Sequence, residues 1–340
     1  MQKGVQVVSE TELKPVKVAL EEAPQVAIIV LNWNAWDITA QALDALSRLQ
    51  YPRYEVILVD NGSSTSSRGL ENSWPNLIYV QTGSNRGYTG GNNAGIKVAL
   101  ARNAEFVLIL NNDVLLQDSD TVTKLIRASR ARPSAGILAP HVASYTEEGA
   151  LITDSHHGKM QSLLSRLVLR TRHPRSVSGP HPFRYFDDEI ESVSHVCGCA
   201  MLISRQLLEH IGYFDERFFM YDEEYDFCLR GIDAGFLVLQ VHGTCVARRN
   251  VCAQNAMPGY RTYLFGRNRF LIARKRLSWK QTAIFISLHI ISTLKLGVTL
   301  AEDQRWNELT GLLYGFKDGI LGRWGITPKL ASLLMKPKSI

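Results

Sequence analysis

The run from Phe106 to Leu110 sets the tightest limit on what this chain folds into. Five apolar residues follow one another without alternation and stop at Asn111-Asn112-Asp113. An unbroken apolar run of that length reads as a strand covered on both faces, as in a parallel sheet flanked by helices. The same design occurs twice earlier. Val26 to Leu31 ends in Asn32-Trp33-Asn34, and Tyr54 to Val59 ends in Asp60-Asn61-Gly62-Ser63-Ser64. Between them Ile38, Ala42, Leu43, Ala45, Leu46 and Leu49 recur at helical spacing before a Tyr51-Pro52 break, so strand, helix and strand form a βαβ unit. A third short strand is expected over Leu77 to Val80, and a helix from about Asn92 to Asn103.

In an open α/β sheet, helices cover both faces and only the crevice beyond the strands' carboxyl ends stays accessible. Asn111, Asn112 and Asp113 taken alone read equally well as a turn and as a ligand rim. Three successive strands ending in small polar residues favour the rim. A carboxylate there, Asp113, can hold a divalent cation against a phosphate. The loop Gly83 to Gly95 is rich in Gly and Asn but matches neither common phosphate-loop pattern. Positive φ angles are a sufficient reason for Gly90 and Gly91. Asn85, Arg86 and Asn93 are the candidates for facing an anionic ligand at a helix entry.

The chain has 340 residues, 45% of them hydrophobic, enough for a full core, which excludes a disordered protein. Its net charge of +6 is concentrated in the C-terminal third and suits an anionic membrane or a phosphorylated ligand. The five cysteines lack paired zinc spacing and read as thiols in a reducing compartment. No apolar signal segment precedes Val26, and residues 1–24 read as a flexible leader.

The second chemical stretch is Asp222-Glu223-Glu224-Tyr225-Asp226, opening a helical pattern that includes Phe227, Leu229 and Ile232. The helix dipole favours acidic residues in a first turn, which accounts for some of these carboxylates. Phe218, Phe219, Met220 and Tyr221 form an aromatic wall beside them. Desolvation on that side raises a carboxylate's pKa and suits it to take a proton from a hydroxyl near neutral pH.

These pieces together resemble a family 2 glycosyltransferase of the GT-A fold, in its rhamnosyltransferase-like bacterial branch. The matching stretches are Ile29 to Asn34, Val59 to Ser63, Asn85 to Gly95, Leu110 to Asp113, Gly212 to Glu216, Phe218 to Asp226 and Arg267-Asn268-Arg269, in the family's order. The resemblance implies an α/β fold: a Rossmann-like, mostly parallel central sheet flanked by helices, followed by a C-terminal helical, membrane-associated extension. It implies a catalytic domain over 25–255, with a nucleotide-sugar half at 25–118 and an acceptor half at 119–255 that carries an insertion at 143–191. The basic and apolar extension covers 256–340. By position, Asp60 contacts the nucleotide base, with Asn32 and Asn34 near base and ribose. Asn85, Arg86, Asn93 and Asn112 also belong to the nucleotide-sugar site. Asp113 binds Mg2+ or Mn2+ bridging the diphosphate. Glu224 is the catalytic base, Glu223 the runner-up, and Asp226 and Arg230 brace their turn.

Two departures bear on the metal. The first carboxylate of the family's D-x-D motif is Asn111 here, and Arg248 stands where relatives place a histidine. A guanidinium cannot ligate a metal but pairs with phosphate oxygens, so Arg248 joins the nucleotide-sugar candidates.

The expected activity is inverting transfer of a hexose, with rhamnose as the candidate, from a nucleoside-diphosphate donor to a hydroxyl of a saccharide, in cell-surface polysaccharide synthesis. The implied partners are that donor, a lipid-linked saccharide acceptor and a peripheral membrane contact at the cytoplasmic face; no nucleic acid is expected. Residues Tyr260 to Lys280 interleave basic and apolar side chains ahead of the largely apolar Thr282 to Ala301, in which Lys295 counts against a spanning helix. An interfacial helix and a helix packed on the core remain equal alternatives. A sugar nucleotidyltransferase is disfavoured because no N-terminal Gly-rich activation loop is present. A catalytically silent nucleotide- or saccharide-binding partner subunit is the alternative that the thinned metal motif suggests.

Overall fold

The computed structural model describes residues 23–67, 69–72, 74, 76–145, 151–153, 185–187, 190–248 and 257–325. Most of the expected insertion at 143–191 therefore lies outside the described residues, as do residues 1–22 of the leader expected at 1–24.

The first half alternates strands and helices: β1 (Val26–Asn32), α1 (Trp36–Leu46), β2 (Tyr54–Asp60), β3 (Ile78–Gln81), α2 (Gly87–Ala101) and β4 (Phe106–Asn111). The second half adds β5 (Val114–Leu116), α3 (Thr121–Ala131), β6 (Ala135–Tyr145), β7 (Leu151–Thr153), β8 (Tyr185–Asp187), β9 (Ile190–Ser192), β10 (Ala200–Ser204), α4 (Arg205–Ile211), α5 (Glu223–Asp233) and β11 (Leu237–Arg248). Three helices follow: α6 (Pro258–Arg276), α7 (Trp279–Glu302) and α8 (Trp306–Leu321).

All described strands join one sheet, ordered β3-β2-β1-β4-β10-β6-β11-β9-β8, with β5 against β11 and β7 against β6. β3, β2, β1 and β4 are mutually parallel; β10 runs against β4 and β6, while β11 is parallel to β6. The unbroken apolar runs have the cause the sequence suggested. Along β1, β2 and β4, alternate residues enter different cores: Ile28, Val30, Leu58, Leu108 and Leu110 pack on one face, Ala27, Ile29, Ile57, Val59 and Ile109 on the other.

Helix α2 begins at Gly87, earlier than the expected Asn92, because its start is held by side chains. Asn61 Oδ1 accepts from the Arg86 amide at 3.1 Å and Asn85 Oδ1 from that of Gly87 at 2.8 Å. Gly90 and Gly91 are therefore helical, not positive-φ loop residues. Gly91 and Gly95 are small so that the helix can lie close to β1: a Cβ on Gly91 would meet Leu31 Cδ1 at 2.5 Å, and one on Gly95 would meet Ile29 Cγ2 at 2.8 Å.

The C-terminal helices are built on α6. Gly311, Gly315 and Gly319 repeat at one-turn spacing along α8, and a Cβ at any of them would collide with Gly259, Tyr263 or Phe270 of α6. Close approach of the two backbones requires the glycines, as in small-residue helix pairs generally. Helix α7 buries only a narrow stripe, Phe285, His289, Thr293 and Leu300, with the His289 ring stacked on Phe285 and Phe316. Much of its remaining apolar surface, including Ile284, Ile291, Leu294 and Val298, is exposed. Among the described residues it is the one helix long and apolar enough to cross a membrane.

Candidate active site

Strand register brings the polar ends together. Asn32 pairs with Asp60 and Leu31 with Asn111, so β1, β2 and β4 stop at one level. The antiparallel β10 enters the sheet from the same rim: Asn111 N donates to Cys199 O at 2.9 Å, which sets Cys197-Gly198-Cys199 beside the Asn-Asn-Asp turn. β11 ends there as well, with Arg248 opposite Val114.

The sequence candidates divide into those that face the rim and those that build it. Asn32 is fully buried, its Oδ1 accepting from Ala35 N and Thr39 Oγ1 and its Nδ2 donating to Ser63 Oγ. Asn93 is also buried and ties α2 to Phe214 and Glu216 at 3.0–3.1 Å. Both amides are spent inside the protein, which leaves them as braces beneath the crevice. Asn112 donates to Thr39 Oγ1 at 2.9 Å, and Asn85 caps the start of α2. Asn34 adopts a left-handed backbone and its Oδ1 accepts from Ser64 N at 2.7 Å, clasping the two loops. Asp60 accepts from Ser63 N at 3.0 Å and from Tyr79 Oη at 3.2 Å. Arg86 reaches back to Thr82 O with one guanidinium nitrogen.

The acidic cluster opens α5 on the other side of the rim. Glu223 is buried and lies well above the ordinary glutamate range, first because of burial and then because of Glu224 beside it. Glu224 is half-buried, and its Cβ lies where a side chain on Gly198 would sit, 3.3 Å from that imagined Cβ. Tyr88 Oη donates to Gly198 O at 2.5 Å. Burial pushes the Tyr88 phenol well up, with both glutamates adding to the shift.

The turn that delivers Glu223 and Glu224 is strained. Phe219, Tyr221 and Asp222 have φ of 66°, 70° and 66°, all left-handed and none glycine. Such residues cost on the order of 1–3 kcal/mol each and persist only where the surroundings enforce them. The enforcing groups are Arg267 and Asn268 on α6, both fully buried. Asn268 Nδ2 reaches the carbonyls of Phe218, Met220 and Tyr221 at 3.2, 2.8 and 2.7 Å. Arg267 donates to Arg217 O and Phe218 O through Nη2 and to Trp324 O through Nη1. Lys275, further along α6, bridges Asp215 and Asp226. Asp226 also accepts from Arg230 Nε at 3.0 Å while Arg230 holds Ile211 O and Tyr213 O, the bracing expected of that pair. Sequence reasoning set Arg267 and Asn268 in a matching motif without a role. Basic and apolar residues are interleaved throughout α6, so no local pattern marks these two as buried.

Asp113 and Arg248 form an ion pair, Nε to Oδ2 at 3.0 Å. Burial works against the Arg248 charge, but Asp113 together with Cys199 and Cys197 outweighs it and holds the guanidinium more firmly protonated than usual. The Cys197 and Cys199 sulfurs lie 3.3 Å apart; the hydrogen bond they share pulls Cys197 down, with Arg248 adding to it, and pushes Cys199 up.

The donor set at Asp113 does not fit a divalent cation. Oδ2 is taken by arginine, leaving the buried Oδ1 as the acidic oxygen of the Asn-Asn-Asp turn. Charges of +2 and +1 about 5 Å apart repel by roughly 7 kcal/mol at an effective dielectric of ~20. No cluster of three or more His, Cys, Asp or Glu suited to a metal forms among the described residues.

The mostly parallel sheet with its polar carboxyl rim, and the acidic helix start beside it, have the architecture of a GT-A-type transferase. The Glycosyl transferase family 2 profile matches residues 27–212, more than half of the chain, and the chain belongs to that family. It is 27% identical over 302 residues to the low-salt glycan biosynthesis hexosyltransferase Agl10 of Haloferax volcanii, covering 88% of this chain and 92% of that one. It is 28% identical over 227 residues to the N-acetylglucosaminyl-diphospho-decaprenol L-rhamnosyltransferase of Mycobacterium tuberculosis, covering 63% and 72%. In fold it is similar to the mannosyltransferase PcManGT of Pyrobaculum calidifontis in complex with GDP-Man and Mn2+, with a TM-score of 0.53, 16% identity and 92% of each chain covered. The chain is thus a glycosyltransferase enzyme of glycan or polysaccharide biosynthesis, which sets aside the silent-subunit alternative.

Proposed function

We propose that the chain transfers a hexose, with rhamnose the first candidate, from a nucleoside diphosphate to a hydroxyl of a lipid-linked saccharide, with inversion at the anomeric carbon. The partly exposed Glu224 at the head of α5 carries this proposal, because it lies against Gly198, next to Cys197, which senses the charges of both Arg248 and Glu224. Asp60 and the loops clasped by Asn34 take the nucleoside, while Arg86, at the entry to α2, and Arg248 face the diphosphate. Glu224 accepts the proton of the acceptor hydroxyl as that oxygen attacks, so one base suffices. Glu223, whose carboxyl is raised above the ordinary range by burial and by Glu224, ionises less readily beside that base.

A rhamnosyl donor and a lipid-linked acceptor are supported by the similarity to the mycobacterial enzyme, whose name states both. The acceptor side lies under the aromatic wall, where Tyr221 stacks on Phe265 with ring centroids 4.5 Å apart. A peripheral membrane contact is supported by the exposed apolar side of α7, which carries Lys280 in its first turn.

The test incubates purified protein with a panel of dTDP, UDP and GDP sugars and a membrane lipid extract, and scores nucleoside diphosphate release. One donor is turned over by the wild type, and Glu224→Gln lowers that turnover by about 10²-fold or more, the range expected of a lost general base. Full activity in Glu224→Gln would remove the base assignment. Turnover of a UDP or GDP sugar alone would remove rhamnose.

A further inference from the structure

We propose that Arg248 takes the place of a metal ion in this chain: its guanidinium binds the donor's diphosphate and carries the charge of that group as it leaves, and transfer proceeds without a divalent cation. The proposal rests on the donor being a nucleoside-diphosphate sugar.

The geometry is that of a prepared anion site. Arg248 is the last residue of β11, and pairing with Val114 fixes its backbone beside the Asn-Asn-Asp turn. Its Nε is bound to Asp113 Oδ2 at 3.0 Å, which sets the plane of the guanidinium. No hydrogen bond from its terminal nitrogens is found among the described residues, and its side chain remains 20% exposed. An arginine so held presents two parallel N–H donors to phosphate oxygens, a bidentate fit that lysine and histidine lack. Asp113 thereby changes task. In place of ligating a metal it orients the cation that replaces one, so it becomes a positioning residue.

The chemistry balances without further reactants. The anomeric carbon–oxygen bond to the β-phosphate breaks with its electron pair going to the diphosphate. The acceptor oxygen forms the new bond, and its proton passes to Glu224. Negative charge grows only on the diphosphate, and a fixed cation aimed at that point stabilises it more in the transition state than in the ground state.

The experiment is calorimetric titration of the full chain with UDP, dTDP and GDP, and with the matching monophosphates, in EDTA and in Mn2+. One diphosphate is expected to bind with the same Kd, within about threefold, under both conditions. Arg248→Ala weakens that diphosphate by about tenfold or more while leaving the monophosphate unchanged, which also shows that the variant is folded. Arg248→His binds the diphosphate only when Mn2+ is present, because imidazole can ligate the ion and no longer repels it. A wild type whose diphosphate affinity rises tenfold or more on adding Mn2+ would overturn the proposal and leave the nucleotide-donor assignment standing. Absence of binding by any nucleotide under either condition would overturn both.

Discussion

Replacing Asn268 with alanine removes the amide that holds the turn before the acidic helix. One Nδ2 group has two hydrogens and lies within reach of three carbonyls, of Phe218, Met220 and Tyr221. Phe218 O keeps Arg267 as a donor, so the loss falls on Met220 and Tyr221. Two carbonyls left short of partners cost on the order of 1–3 kcal/mol each where water cannot reach them. The turn is then free to release the left-handed strain at Phe219, Tyr221 and Asp222, which pulls in the same direction. A shift of about 3 kcal/mol away from the held turn corresponds to a roughly hundredfold drop in kcat, at 1.4 kcal/mol per factor of ten. Nucleotide affinity should stay within about twofold, since β1, β2 and β4 are untouched. Hydrogen exchange over 218–224, together with steady-state diphosphate release, measures both halves of the prediction. Unchanged protection in that segment and a kcat within threefold of wild type would refute the pinning role. A lower nucleotide affinity with kcat intact would place the effect elsewhere in the molecule.

Two further outcomes are expected. Burial, with Glu224 adding to it, raises the Glu223 pKa on folding, so the stability present below the unfolded value of 4.5 is lost as pH rises through the folded one. Glu223→Gln should therefore melt above the wild type at pH 8, with the gap closing as pH falls towards 4.5, and equal melting at both ends would contradict it. On α7, Ile291 and Leu294 are 51% and 65% exposed. Placing aspartate at both should abolish co-sedimentation with anionic vesicles while nucleotide binding persists; retained sedimentation would argue against an interfacial face.

The parallel half of the fold was legible because its strands are buried on both faces, and burial leaves a mark in composition. Val26–Asn32, Tyr54–Asp60 and Phe106–Asn111 fall where apolar runs meet polar residues. The start of α2 was misplaced because Gly90 and Gly91 carry no apolar signal. The smallness of Gly91 and Gly95 serves close packing on Leu31 and Ile29, a reason visible only with the neighbouring strand in place. Asn32 and Asn93 show the corresponding limit within the site. Polar residues in a loop read alike whether they face a ligand or brace the loop, and only burial separates the two. The pairing of Asp113 with Arg248 spans 135 positions and depends on β5 meeting β11 in antiparallel register, which no local pattern encodes.

The reach of Arg267 from α6 to Trp324 O on one side and Phe218 O on the other has a consequence for recombining such enzymes. A chimera that exchanges the C-terminal helices alone would mate one parent's anchor with the other parent's turn. Crossovers that carry 212–233 together with 257–325 keep the contacting surfaces from a single parent, and they define the smallest unit that can be transplanted with its catalytic edge intact.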